Sequence, residues 1–142
     1  MKSSEYVSLG HPDKIADYIS QYILDRYIEQ DSATKYAVEV QIKDNNVTLA
    51  GEVTSNAKFD KEELSVFVKN AINEIGYNDS YKKVWGKNAI SGEESITTSF
   101  IGQQSPEIAQ GLNGWGDQGI FFGYAEPIKG TEYMPRDYAL AR

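Results

Sequence analysis

Gly10-His11-Pro12-Asp13-Lys14 sets three residue types that handle phosphate and metal side by side. Pro12 suits the first position of a helix, where its fixed φ is already helical and its missing N–H is not needed. Asp13 then falls in the first turn, near the positive end of the helix dipole. His11 and Lys14 flank it with a titratable and a permanent positive group. Free backbone N–H groups, a Lys and a His together attract a phosphate chain, and an adjacent Asp can hold the Mg²⁺ that such a chain carries. The same five residues also read as a plain helix start capped by Asp13.

The elements that must hold this stretch follow from hydrophobic spacing. Ile15, Ile19, Ile23 and Tyr27 recur every fourth residue, widened by Tyr22 and Ile28, and predict a helix over 13–30. Tyr36, Val38, Val40 and Ile42 then alternate with Ala37, Glu39, Gln41 and Lys43, the pattern of a half-buried strand. Val47, Leu49, Gly51 and Val53 repeat it. A two-residue turn at Asn45-Asn46 keeps apolar residues on one face, pairing Ile42 with Leu49, Val40 with Gly51 and Val38 with Val53. That register sets Glu39 against Glu52, a like-charge pair that calls for a cation, a basic side chain from elsewhere or a ligand amine unless water screens it.

Asp60 and Glu63 make a capping-box start for a helix to Ile75. Its face is Leu64, Phe67, Val68, Ala71, Ile72 and Ile75, and Gly76 stops it. This helix is assigned packing alone. Residues 77–95 read mostly as loop, 96–101 as a strand, and Ser105-Pro106-Glu107 as the start of a turn or two of helix. Gly111 to Gly119 is a glycine-rich loop with Asp117 and Gln118 at its tip, before an apolar strand Ile120–Tyr124. Met134-Pro135-Arg136-Asp137 opens a last helix.

The chain has 142 residues, 40% hydrophobic and 25% charged, which is one domain's worth with enough apolar content for a core. The net charge of −7 argues against a nucleic-acid surface. With no cysteine, disulfides, zinc–thiolate sites and thiol chemistry are excluded. No apolar run reaches membrane-span length and no signal-peptide core opens the chain, so a cytoplasmic protein is expected.

Taken in order, the pieces resemble the methionine adenosyltransferase (S-adenosylmethionine synthetase) family. The carriers are Ser4-Glu5, Val7-Ser8 and Gly10 to Asp17; Leu24-Asp25 and Glu29-Gln30-Asp31; Gly51-Glu52-Val53-Thr54; Glu74-Ile75-Gly76-Tyr77; Ile101-Gly102, Gln104-Ser105-Pro106, Ile108 and Gln110-Gly111; and Gly116-Asp117-Gln118-Gly119 with Phe122 to Ala125. The resemblance implies an α+β fold, helices packed on mixed and antiparallel sheets, within a three-lobed architecture of interleaved segments. Residues 1–142 would be its N-terminal portion and contribute to more than one lobe.

It also implies a reaction: ATP, L-methionine and water give S-adenosylmethionine, phosphate and diphosphate. Sulfur attacks C5′ of ATP, and tripolyphosphate is then hydrolysed. By the match His11 is catalytic and lies at the 5′-oxygen and phosphates, Asp13 binds Mg²⁺, and Glu39 lies at the K⁺ site. Glu52 and Gln104 surround the methionine, and Asp117 contacts both the adenosine and methionine ends. Lys14 belongs to the motif without an assigned step. The implied partners are a second copy, as a homodimer or higher, and a further chain carrying the C-terminal part with its basic residues. One phosphate–magnesium site is expected to join His11 and Asp13 to the two glutamates.

Three departures from the family pattern stand out. Leu9 replaces a usual Glu, the stretch from Gln110 to Asp117 is short where the family has a gating loop, and family chains are well over twice this length. The alternative is a non-catalytic regulatory module of the same fold that docks on a full-length synthetase.

Overall fold

The computed structural model describes residues 3–86, 90–105 and 119–142. They fall into two compact units, one within 9–105 and one joining 3–8 to 119–142.

In the larger unit, helix α1 (Pro12–Gln30) starts with Pro12 at its first position, and Ile15, Ile19, Ile23 and Tyr27 are its buried stripe. Helix α2 (Lys61–Ile75) opens on the full capping box: Asp60 accepts from the Glu63 N–H at 2.8 Å, and Glu63 accepts from the Asp60 N–H at 2.9 Å. It ends at Gly76 in the left-handed conformation, and Leu64, Val68, Ala71 and Ile72 are buried. Strands β1 (Lys35–Lys43), β2 (Asn46–Thr54) and β3 (Ile96–Gly102) form a sheet in that order among the described residues. The first pair is antiparallel and the second parallel, so the fold is α+β with a mixed sheet.

Both helices cover one face, where Tyr36, Val38, Val47, Leu49 and Val53 meet α1 and α2 in a single core. Full burial of an Ile, Leu or Val is worth about 2 kcal/mol, so these two helical stripes are what hold the sheet. The other face is open, with Ala37, Glu39, Gln41, Ala50, Ile96, Thr98 and Phe100 exposed along it.

The predicted hairpin register is corrected by two residues. The turn is Asp44-Asn45, and Ile42 pairs with Val47, Val40 with Leu49, Val38 with Gly51 and Tyr36 with Val53. A slide of two keeps every side chain on its face, so alternation does not choose between the registers. The observed one gives the buried Val47 a strand partner. Asp44 takes the left-handed conformation the turn needs, with φ 53°. Asn45 is then free to bind the chain before β3, accepting from the Ser91 N–H at 3.1 Å and the Ile96 N–H at 2.7 Å. Gly51 has no alternative here: a Cβ would stand 2.1 Å from the Ala37 carbonyl oxygen.

Two further expectations change. Residues 77–95 are not mostly loop, for Asn78 caps a short helix α3 (Asp79–Trp85) through Ser80 and Tyr81, and Gly92–Glu94 makes a 3₁₀ turn. Ion pairs Lys69–Glu93 and Lys82–Glu94 fasten that turn to α2 and α3. Ile120–Tyr124 is not a strand in this structure, and Ile120, Phe121 and Phe122 are 84%, 92% and 96% exposed. A strand is made by its ladder partner, and no partner pairs with this segment among the described residues. The smaller unit closes on helix α4 (Arg136–Ala141), with Ser4 donating to Asp137 at 2.7 Å and Tyr6 edge-on to Tyr138 at 5.9 Å.

Candidate functional site

His11 is itself the cap of α1. Its Nδ1 accepts the backbone N–H of Asp13 at 3.1 Å, which corrects the reading of Asp13 as the cap. Since Nδ1 is an acceptor, the neutral ring carries its proton on Nε2 and offers a donor on its outward edge. The Asp13 carboxylate is left 83% exposed, with Oδ2 at 3.8 Å from His11 Nδ1. An imidazole donor and a carboxylate thus share the positive end of a 19-residue helix, a combination suited to an anion that carries a cation. Lys14 is exposed beside them, and Leu9 is 80% exposed just before the loop.

The approach to that cap is held from outside α1. Tyr77 donates its hydroxyl to the Gly10 carbonyl at 2.8 Å. A Cβ on Gly10 would stand 2.4 Å from the Tyr77 oxygen, so the glycine makes room for the ring. The Tyr77 carbonyl in turn accepts the Gly92 N–H at 3.0 Å, next to Ser91, which is bound to Asn45. The His11 end of α1 is therefore tied to the hairpin-turn end of the sheet.

The other end of α1 is tied to the opposite end of the sheet. Asp31 Oδ2 accepts the Asn56 N–H at 2.7 Å and the Ser55 hydroxyl at 3.3 Å, just past β2. Glu52 lies near this second end, paired with Ala37 on one side and Gly102 on the other. Gln104 follows two residues after Gly102. Its side chain is 5% exposed and its carbonyl oxygen has no hydrogen-bond partner among the described residues. A buried acceptor of that kind lacks a donor, and a ligand ammonium is one.

Glu39 does not face Glu52. It pairs with Ala50, so Glu39 and Glu52 are diagonal neighbours on the open face, with backbones about 7–8 Å apart. The direct repulsion predicted from the shifted register is absent, and the need for a cation between them no longer follows from it.

One chain thus separates its candidate residues into two groups. His11 and Asp13 stand at one end of α1, on the covered side of the sheet. Glu39 and Glu52 lie on the open face, Glu39 midway along β1, and Glu52 and Gln104 lie toward the far end. Roughly 28 Å of helix lies between those ends. A cleft of about 450 Å³ lies between the start of α2 and the end of β3, lined by Phe59, Lys61, Ser99, Ile101 and Gln103, and none of His11, Asp13, Glu39 and Glu52 lines it. Among the described residues, no cavity of one chain joins the two groups. Asp117, the shortened loop around it and the helix start after Ser105 lie outside the described residues.

The metal expectation can be weighed against these donors. Among the described residues no three His, Asp or Glu side chains form a cluster able to hold an ion. Mg²⁺ often takes one or two carboxylates and completes its shell with substrate phosphates and water. Asp13 fits that role, and a resident cage does not. Among the described residues, no helix is long and apolar enough to cross a membrane.

The sequence comparison finds that the model of the S-adenosylmethionine synthetase N-terminal domain matches residues 1–106. Among solved structures, an S-adenosylmethionine synthetase from Campylobacter jejuni, described as unusual, is similar at 36% identity with a TM-score of 0.72. The match covers 94% of this chain and 33% of that one, so the present chain spans about a third of its length.

Proposed function

We propose, from the premise that this chain belongs to the S-adenosylmethionine synthetase family, that it supplies the N-terminal part of a methionine adenosyltransferase. The single observation that carries this is the His11 cap with its exposed neighbour Asp13: an outward imidazole N–H and a free carboxylate at a helix N-terminus. Sulfur attack on C5′ of ATP needs no general base, because a thioether has no proton to lose. It needs alignment, and charge stabilisation on the departing triphosphate.

In this reading the His11 Nε2–H donates to the 5′-oxygen as negative charge grows there. The α1 N-terminus adds its dipole. Asp13 holds Mg²⁺, which when bound neutralises the phosphate oxygens. Gln104 offers its carbonyl oxygen, unpaired among the described residues, and Glu52 its carboxylate, to the methionine ammonium, while Glu39 stands at the K⁺ site and Asp117 at the adenosine. His11 and Asp13 lie at the hairpin-turn end of the sheet and Glu52 and Gln104 toward the other end, which supports a complete site built between two copies. The lysines and arginine that the family uses on tripolyphosphate would come from the part of the synthetase this chain does not span. The two compact units fit segments that belong to different lobes. Action in the cytoplasm follows from the same reading.

The test is Asp13→Asn in the native assembly, assayed for S-adenosylmethionine formation at limiting Mg²⁺. Turnover is expected to fall at least about tenfold, the loss that even outer-shell partners of a metal produce. The free energy of unfolding should hold within about 0.5 kcal/mol, since the residue is on the surface. Unchanged turnover removes the metal role. The exposed Leu9, in place of a family Glu, favours a second reading as a non-catalytic module. In that case the chain with ATP and methionine shows no turnover of its own, and instead changes the rate of a full-length synthetase.

A further inference from the structure

We infer that Tyr77 is a positioning residue for the phosphate-binding loop, acting through Gly10 to fix the ring of His11. The inference rests on the proposed role of His11 and names a group that acts on it from another element. Tyr77 follows Gly76, the left-handed stop of α2, and its N–H returns to the Ile72 carbonyl at 3.2 Å. That turn sets the direction in which the side chain leaves the helix. Tyr81 packs edge-on against the Tyr77 ring, with centroids 5.0 Å apart, and the Tyr77 carbonyl is held by Gly92. The ring is therefore constrained on its own side before it touches the loop.

On the loop side the contact is specific. The Tyr77 hydroxyl donates to the Gly10 carbonyl at 2.8 Å, and the missing Cβ of Gly10 is what lets the ring approach. Gly10 immediately precedes His11, whose extended backbone (φ −70°, ψ 143°) lets its ring turn back onto the Asp13 N–H. Fixing the Gly10 peptide fixes the plane from which the His11 backbone leaves, and so the position from which Nε2 meets a phosphate. Burial and the neighbouring Tyr81 raise the Tyr77 pKa, so the phenol keeps the proton it donates. A helix whose sequence suggested packing alone thereby sets the geometry of a loop far from it along the chain.

The experiment is Tyr77→Phe in the full chain, with the assembly it forms. Phe keeps the ring and its packing and removes only the donor. His11 is the chain's only histidine, so its ring proton signals are unambiguous by NMR. The expected result is a shifted His11 ring signal and Asp13 amide exchange about fivefold faster, the equivalent of one ordinary hydrogen bond. Exchange at Ile19 and Val68, both fully buried, should not change. Gly10→Ala, which forces the ring away from the other side, should give the same signature.

A second arm measures binding of inorganic tripolyphosphate with Mg²⁺, expected to weaken by a similar factor in Tyr77→Phe. Unchanged Asp13 exchange and His11 signals overturn the inference. So does faster exchange spread evenly through α1 and α2, because the hydroxyl would then be serving the fold. A wild-type assembly that fails to bind tripolyphosphate overturns the phosphate reading of His11, while the exchange and ring signals still decide the link from Tyr77 to His11.

Discussion

His11 and Asp31 bracket α1, and each shows one side chain deciding a local outcome. Because Nδ1 of His11 is spent on the cap, the proposed catalysis would use it as a donor from Nε2. His11→Asn keeps a capping side chain and loses that donor, since Asn is a good cap. It should slow C5′ transfer by about tenfold to a hundredfold, in keeping with the loss of one preorganised donor. Tripolyphosphate cleavage should slow less, and equal slowing of the two steps, followed separately with ATP and with added tripolyphosphate, would deny His11 a special place at C5′. Asp31 works on stability instead. Its carboxylate accepts the Asn56 and Ala33 backbone N–H groups and the Ser55 hydroxyl, and these bonds hold its pKa below the ordinary 3.8. A depressed folded-state pKa means the stabilisation is present above the ordinary value and is lost as the pH falls through the folded one. In urea titrations the advantage of the native chain over Asp31→Asn should be widest near neutral pH and narrow through that acid range. A gap of constant width would show that the ionised form is not what counts.

At the scale of elements, the sheet is fixed at Gly51. It pairs with Val38 at φ 147°, with no room for a Cβ beside the Ala37 carbonyl. Gly51→Ala should therefore cost at least about 2 kcal/mol, through backbone displacement rather than lost burial. Chemical unfolding measures it, and a loss near that of an ordinary surface change would show that the hairpin accommodates a methyl group. The elements differ in how legible they were. α1 and α2 were readable because each repeats its apolar positions over four or more turns and carries its own cap. The faces of β1 and β2 were readable too, but not their register, because alternation is blind to a slide of two. α3 has seven residues and none of them buried, so its only signal was the Asn78 cap. Ile120–Tyr124 carries strand composition without a partner strand among the described residues, and composition cannot supply one. Residue types at the candidate site were visible as a motif. The bond from Tyr77 to Gly10 spans 67 positions and leaves no pattern in sequence.

At the scale of the whole molecule, the separation of the two residue groups makes a prediction about assembly. α1 ties His11 to the hairpin-turn end, while Glu52 and Gln104 lie toward the end where Asp31 meets Asn56. If a complete site takes His11 from one copy and Glu52 from another, two variants that are each strongly impaired should complement. His11→Asn and Glu52→Gln assemblies, dissociated, mixed in equal amounts and reassembled, form mixed dimers in which one site carries both substitutions and the other carries neither. Random pairing makes half of the dimers mixed, so activity should return to about a quarter of the wild-type rate. Unmixed controls taken through the same treatment should keep only their own residual rates. A site formed wholly within one chain gives a different result, because every site in the mixture then keeps one defect and nothing is restored. The measurement reads the geometry of the assembly directly, since a fold defect in either variant cannot raise the mixture above the rates of both parents.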